Sequence, residues 1–266
     1  MSAVLFLFLA HLGIGIAATL LLVASTAGMQ FFRFNAGLAA VLLLVALAFR
    51  PTPITVNVLE SVGFVALLVA TGNLLVYWAS LGRGLASLRP WFLWATVVGG
   101  GLSLVLQGIG LSSVQGPPLV ALTVVSFLSS AALLGGACTA MILGHWYLVL
   151  PSMNVSLLQS MVKFHIGSTI VRIAVVLAVV VVALSSWQAP SGAGYGQYVL
   201  SLDGVFLWQR VLFGLLSPAI LSYLVWQTAK IQSTQSATGI LYVDFFTVVV
   251  GEVLAKYLLL STQVPV

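Results

Sequence analysis

Apolar stretches about as long as a bilayer is thick recur along this sequence, separated by short segments rich in proline and glycine. In hydrocarbon every backbone N–H and C=O must find its partner within the protein. Such stretches therefore become helices, with about 20 residues to a crossing. That rule divides the chain into eight spans, roughly 3–27, 35–49, 56–80, 91–111, 119–150, 156–184, 205–229 and 236–260. The breaks fall at "RPTP" (50–53), "GRGLASLRP" (82–90), "QGPP" (115–118) and "LPSMN" (150–154), where proline and glycine end helices for steric reasons. Composition agrees, with 61% hydrophobic and 5% charged residues, where soluble domains average about 25% charged. The expected fold is an all-α integral membrane protein, a bundle of about eight transmembrane helices forming a single domain over residues 1–266.

The first apolar stretch lacks the basic leader of a secretory signal and exceeds its usual core of ~7–15 residues, so it reads as a span. With eight spans both termini share a face. The opposite face collects Arg33, Arg83, Arg89, Lys163 and Lys230, against Arg50 and Lys256 on the termini's side. Basic residues stay cytoplasmic, which puts both termini on the outer side of a bacterial or archaeal cytoplasmic membrane. The net charge of +5 forms no basic patch, so lipid and not nucleic acid is the expected partner. Cys138, the single cysteine, excludes an intrachain disulfide and an iron–sulfur cluster, which takes about four thiolates. No internal repeat is visible, which weighs against inverted-repeat transporters.

Ionisable residues inside spans are costly and point to function. His165 and Arg172 stand seven apart in the sixth span, and Asp244 and Glu252 eight apart in the eighth, so each pair shares a helix face. Both spans run in the same direction. Counting inward, His165 matches Asp244 in depth and Arg172 matches Glu252, giving two polar rungs across one interface. Glu252, Asp244 and Arg172 are the catalytic candidates; the alternative is that they merely hold helices together. Lys256 follows Glu252 by four and can pair with it, although a position near the outer interface favours snorkelling to headgroups. Asp203 with Arg210 forms another candidate rung, and Glu60 could join the same outer cluster.

His145 and His165 flank the turn at Pro151 at depths that differ by only ~5 Å. Two histidines on neighbouring helices are the minimum for a bis-histidine b-type haem, with both side chains on its iron and Lys163 or Arg172 on a propionate. A quinone or proton-relay role, or purely structural imidazoles, fits the same residues. His11, in the first span, is a separate candidate for quinol-site base or pigment ligand. Pro218 is expected to kink the seventh span.

The last span, "SATGILYVDFFTVVVGEVLAKYLLLSTQVP" (236–265), resembles the final helix of the membrane-anchor subunits of molybdenum oxidoreductases, of the dimethyl sulfoxide reductase and polysulfide reductase type. The matching residues are Gly251, Glu252, Lys256, Tyr257 and Leu258, and the likeness covers barely a tenth of the chain. It implies a quinone-reactive membrane subunit of an electron-transfer complex, with iron–sulfur, molybdenum or haem centres on peripheral or membrane partner subunits. Quinone or quinol is then the expected cofactor, and haem b an addition. A small-solute or ion transporter and an assembly or scaffold subunit are the rival expectations.

The positional bias of the basic residues is testable. A reporter active only outside the cytoplasm should work when fused after Val266 and stay silent when inserted near Arg83; the reverse pattern would mean a miscounted span.

Overall fold

The computed structural model describes residues 1–51, 58–83, 87–112, 116–150, 154–187 and 194–266, the side chain of Asp203 excepted. Its long helices are α1 (Ser2–Leu20), α2 (Met29–Ala48), α3 (Val58–Ser80), α4 (Arg89–Ser112), α5 (Pro117–Val149) and α6 (Ser156–Ser186). A short α7 (Tyr195–Val199) leads into α8 (Val205–Val211), a π-helical segment (Leu212–Leu216), α9 (Ser217–Lys230) and α10 (Thr234–Thr262). Among the described residues seven helical runs are long and apolar enough to cross a membrane: α1 to α6 and the continuous run Val205–Lys230. The eighth expected span, α10, is 29 residues and so about 43 Å long; it carries Asp244, Glu252 and Lys256 and is not among those seven.

The distribution of side chains is inverted relative to a water-soluble protein. Arg172, Arg210, Asp244 and Glu252 are each 0% exposed, whereas Val65, Trp94, Val98, Ile170, Val181 and Phe246 face outward. Water would penalise that arrangement twice, by stranding charge and by wetting apolar surface. Lipid tails accept the apolar surface, and because they offer a charge no partner, the charged groups turn inward to one another. The architecture is that of a multi-pass membrane protein.

Between helices in lipid there is little hydrophobic drive, so close packing and polar contacts do the work. α5 lies at the centre, packed against α1, α4, α6 and α10. Gly15 of α1 and Gly135 of α5 meet backbone to backbone: a Cβ on Gly15 would overlap the Ala131 carbonyl, and one on Gly135 would overlap Gly15 itself. Hydroxyls add cross-links, Thr19 to Thr139 at 2.6 Å and Ser103 Oγ to the Gly63 carbonyl at 2.7 Å.

Two expectations change in detail. The second span begins at Met29, well before residue 35, because the chain turns at Gly28, whose φ of 87° suits glycine. The disturbance in the seventh span precedes Pro218 and takes the form of the π turn. Proline has no N–H for the Gly214 carbonyl and its ring crowds that oxygen, so the backbone widens over the preceding residues. Ser217 Oγ then donates to the Leu212 carbonyl at 2.8 Å.

The glycine contact sets the α1–α5 spacing. Gly15→Val should destabilise the protein by at least ~1–3 kcal/mol, the usual cost of overpacking, read from unfolding in detergent. Gly72→Ala, with nothing within 4 Å of the added carbon, should be neutral or stabilising.

Candidate functional site

One carboxylate gathers the polar groups of five helices. On α10, Glu252 and Lys256 are one turn apart and share the face turned into the bundle. Arg172 of α6 clamps Glu252 with Nε 2.9 Å from Oε1 and Nη2 3.3 Å from Oε2. Its Nη1 donates to Ser126 of α5, 2.7 Å to the hydroxyl and 3.2 Å to the carbonyl. Arg210 of α8 reaches Oε1 at 2.9 Å. Lys256 Nζ stands 3.5 Å from Oε2 and donates to Ser130 Oγ at 2.8 Å.

Backbone geometry makes these reaches possible. Gly251, beside Glu252, meets Gly214 of the π segment with no room for a side chain on either. Arg210 Nη1 lies against Gly214, where even a methyl group would collide. The widened turn and the glycine pair thus let the guanidinium run along α10. After α10 the chain reverses at Gln263, φ 61°, and buries Val264 and Val266 over the cluster. There Ser126 Oγ donates to the Pro265 carbonyl at 3.0 Å, and Arg172 Nη2 reaches the Val266 oxygen at 3.5 Å.

His11 joins the cluster through Ser130, with Nδ1 3.1 Å from Oγ and its ring edge-on to Phe127. A hydroxyl has one proton and two lone pairs. Ser130 donates to Glu252 Oε2 at 2.5 Å and accepts from Lys256, which leaves a lone pair for an Nδ1–H of His11. His11 Nε2 is buried without a partner among the described residues. Three basic side chains, Arg172, Arg210 and Lys256, thus converge on the one carboxylate of Glu252.

The second expected rung also forms: His165 Nε2 lies 2.7 Å from Asp244 Oδ2, at angles off those of a straight hydrogen bond. Both α6–α10 rungs therefore follow the sequence spacing. The bis-histidine pair does not assemble. His165 is sealed against Asp244, whereas His145 is exposed and bonds Tyr242 through Nδ1 at 2.8 Å. Tyr242 and Asp244 are two residues apart on α10, about 200° around the helix, so the two imidazoles lie on opposite flanks and do not fit one haem iron. Among the described residues no group of three or more His, Cys, Asp or Glu has the geometry of a metal site.

Three other expectations are corrected. Lys256 does not snorkel outward, because Ser130 and Glu252 offer its ammonium a better partner inside. Arg210 turns to Glu252, and the side chain of Asp203 lies outside the described set. Glu60 is exposed at the start of α3, packed beside Gly110 of α4 and away from the cluster. Ser126 and Ser130 were invisible as site residues. Their one-turn spacing was a signal, but serine is common where helices pack closely. No protein-family model matches the chain, and no curated protein is significantly similar to it.

The shared carboxylate gives an asymmetric mutational signature. Arg172→Met should cost ~3–5 kcal/mol, as removal of one partner from a buried pair does, measured by unfolding in detergent. Glu252→Leu should cost more, because Arg210 and Lys256 lose their counter-charge too. For the same reason the double variant should recover little, and full recovery would show that Arg172 and Glu252 form an isolated pair.

Proposed function

We propose that this chain is the membrane subunit of an electron-transfer complex in a bacterial or archaeal cytoplasmic membrane, exchanging protons and electrons between the quinone pool and redox partner subunits. α10 counts as the eighth span in this reading, with both termini outside and the five-cation end inside. The observation that carries the proposal is the Ser130 hydroxyl, which joins His11, Glu252 and Lys256 in one buried chain. A purely structural ion pair needs no such connection. The residues behind the molybdenum-oxidoreductase resemblance support the same reading, since Glu252 and Lys256 are cluster members and Gly251 supplies the close contact beside them.

Oxidation of a quinol releases two protons with two electrons, and that chemistry is the quinone's own. The protein must accept and move the protons. His11 Nε2 is the free acceptor atom. A proton taken there is balanced by release of Nδ1–H to Ser130 Oγ as the hydroxyl passes its own proton to Glu252 Oε2, which is then the neutral acid. Arg172 and Arg210 hold the carboxylate in place for that exchange. Iron–sulfur, molybdenum or haem centres belong to the partners in this reading, which assigns no haem to this chain.

A second reading rests on the charge imbalance: three cations around one carboxylate suit a protein that binds or moves a small anion. His11→Phe and Ser130→Ala separate the two, because both leave the arginine clamps on Glu252. Each should lower quinol-dependent electron transfer in native membranes by about 10²-fold or more, the scale of a lost acid–base group, with the protein still present and folded. Normal quinol turnover in both variants would defeat the relay, and anion uptake into proteoliposomes would then favour the second reading.

A further inference from the structure

At the opposite end of α2 from Ala48, a surface groove runs between α2 and the end of α3, with a volume of about 530 Å³. Its α2 wall presents Gln30, Arg33, Phe34, Gly37 and Val41, spaced at three and four residues and therefore on one face. Trp78 of α3 forms the other wall. Gly37 makes the concavity: a Cβ there would come within 2.8 Å of Trp78 Nε1, so only glycine lets the indole lie on the α2 backbone. Arg33 sits at the mouth, exposed, with its guanidinium 5.8 Å from the Trp78 ring centre. The groove is thus polar at one end and apolar along its length.

Charge at this end has one sign. Arg83 and Arg89 follow α3, their guanidinium groups donating to the Ala79 and Arg83 carbonyls and not to carboxylates. Lys163 and Lys230 both stand 5.1 Å from the Trp226 ring. Contact of Phe31 and Phe34 with Trp146 brings the start of α2 level with the end of α5, so these cations share one end of the bundle. The acidic residues are elsewhere: Glu60 opens α3 at the far end, Asp203 precedes α8, and Asp244 and Glu252 are sealed inside. A cationic mouth above an apolar furrow, in a helix face that lipid bathes, matches a phosphate head with an acyl tail.

We propose that this groove binds an anionic phospholipid, its phosphate on Arg33 and Gln30 and one acyl chain along α2 over Gly37 and Val41, against Trp78. The site is separate from the Glu252 cluster and does not depend on the function proposed for it. A lipid there would tie α2 to α3 at the membrane surface, where anionic headgroups concentrate near basic side chains.

The test uses the purified full chain in detergent micelles doped with phosphatidylglycerol or phosphatidylcholine carrying brominated acyl chains, which quench tryptophan on contact. The Trp78 signal is the difference between the protein and its Trp78→Phe variant. Phosphatidylglycerol should quench Trp78 at about a fivefold lower mole fraction than phosphatidylcholine, the preference that one basic side chain supplies. Arg33→Gln, at an exposed position that leaves the fold intact, should erase that preference. Inorganic phosphate at millimolar concentration should leave the signal unchanged. Equal quenching by both lipids, or a preference that survives Arg33→Gln, overturns the proposal. Displacement by inorganic phosphate overturns it as well, by assigning the mouth to a free anion.

Discussion

A carboxylate in a low-dielectric interior is tolerable only when its charge is answered at close range, and Glu252 is answered by Arg172, Arg210 and Lys256 at 2.9 to 3.5 Å. Everything around it follows from that requirement. Helices α6, α8 and α10 cannot part without stranding a charge, and α5 is bound in through Ser126 and Ser130. Desolvating four ions is expensive, and the return depends on close geometry: every nitrogen of Arg172 finds an acceptor, whereas Arg210 Nε and Nη1 have none among the described residues. The glycine contacts provide that geometry. Gly214 against Gly251 brings Arg210 within reach, and Gly15 against Gly135 brings His11 to Ser130, so helix packing and charge cluster form one construction.

The two α6–α10 rungs are unlike each other. His165 and Asp244 form a closed pair, one imidazole against one carboxylate. The Glu252 rung is open-ended: its carboxylate connects through a serine to a histidine on a helix from the other end of the chain. The proton path proposed above rests on that connectivity, which a closed pair lacks. The imidazole of His145, bonded to Tyr242 on the outer flank of α10, stands apart from both.

Polarity along the bundle has its own consequence. Exposed cations gather at the end where α2 begins, while the interior holds both buried carboxylates. That asymmetry leaves this end without acidic partners among the described side chains, which is the ground for the lipid headgroup proposed there. Trp226, approached by Lys163 and Lys230, and Trp78, beside Arg33, set aromatic rings against these cations, the pairing of residue types common at membrane interfaces.

Much of this architecture was legible in the sequence because lipid imposes rules that act locally. Long apolar runs must be helical, and proline and glycine mark their ends. Charges seven and eight residues apart on two helices of the same direction meet at matching depths, and both rungs exist for that reason. What the sequence could not determine was which way a side chain turns about its helix and which third helix stands beside it. Lys256 could reach outward to headgroups or inward to Ser130, and only the presence of α5 decides it. His145 and His165 come from helices packed on each other, yet they turn to different residues of α10, Tyr242 for one and Asp244 for the other. His11 lies far from Glu252 in sequence and shares no spacing with it. The α1–α5 glycine crossing joins them, and such close approaches depend on two surfaces fitting together, which no single stretch of sequence encodes.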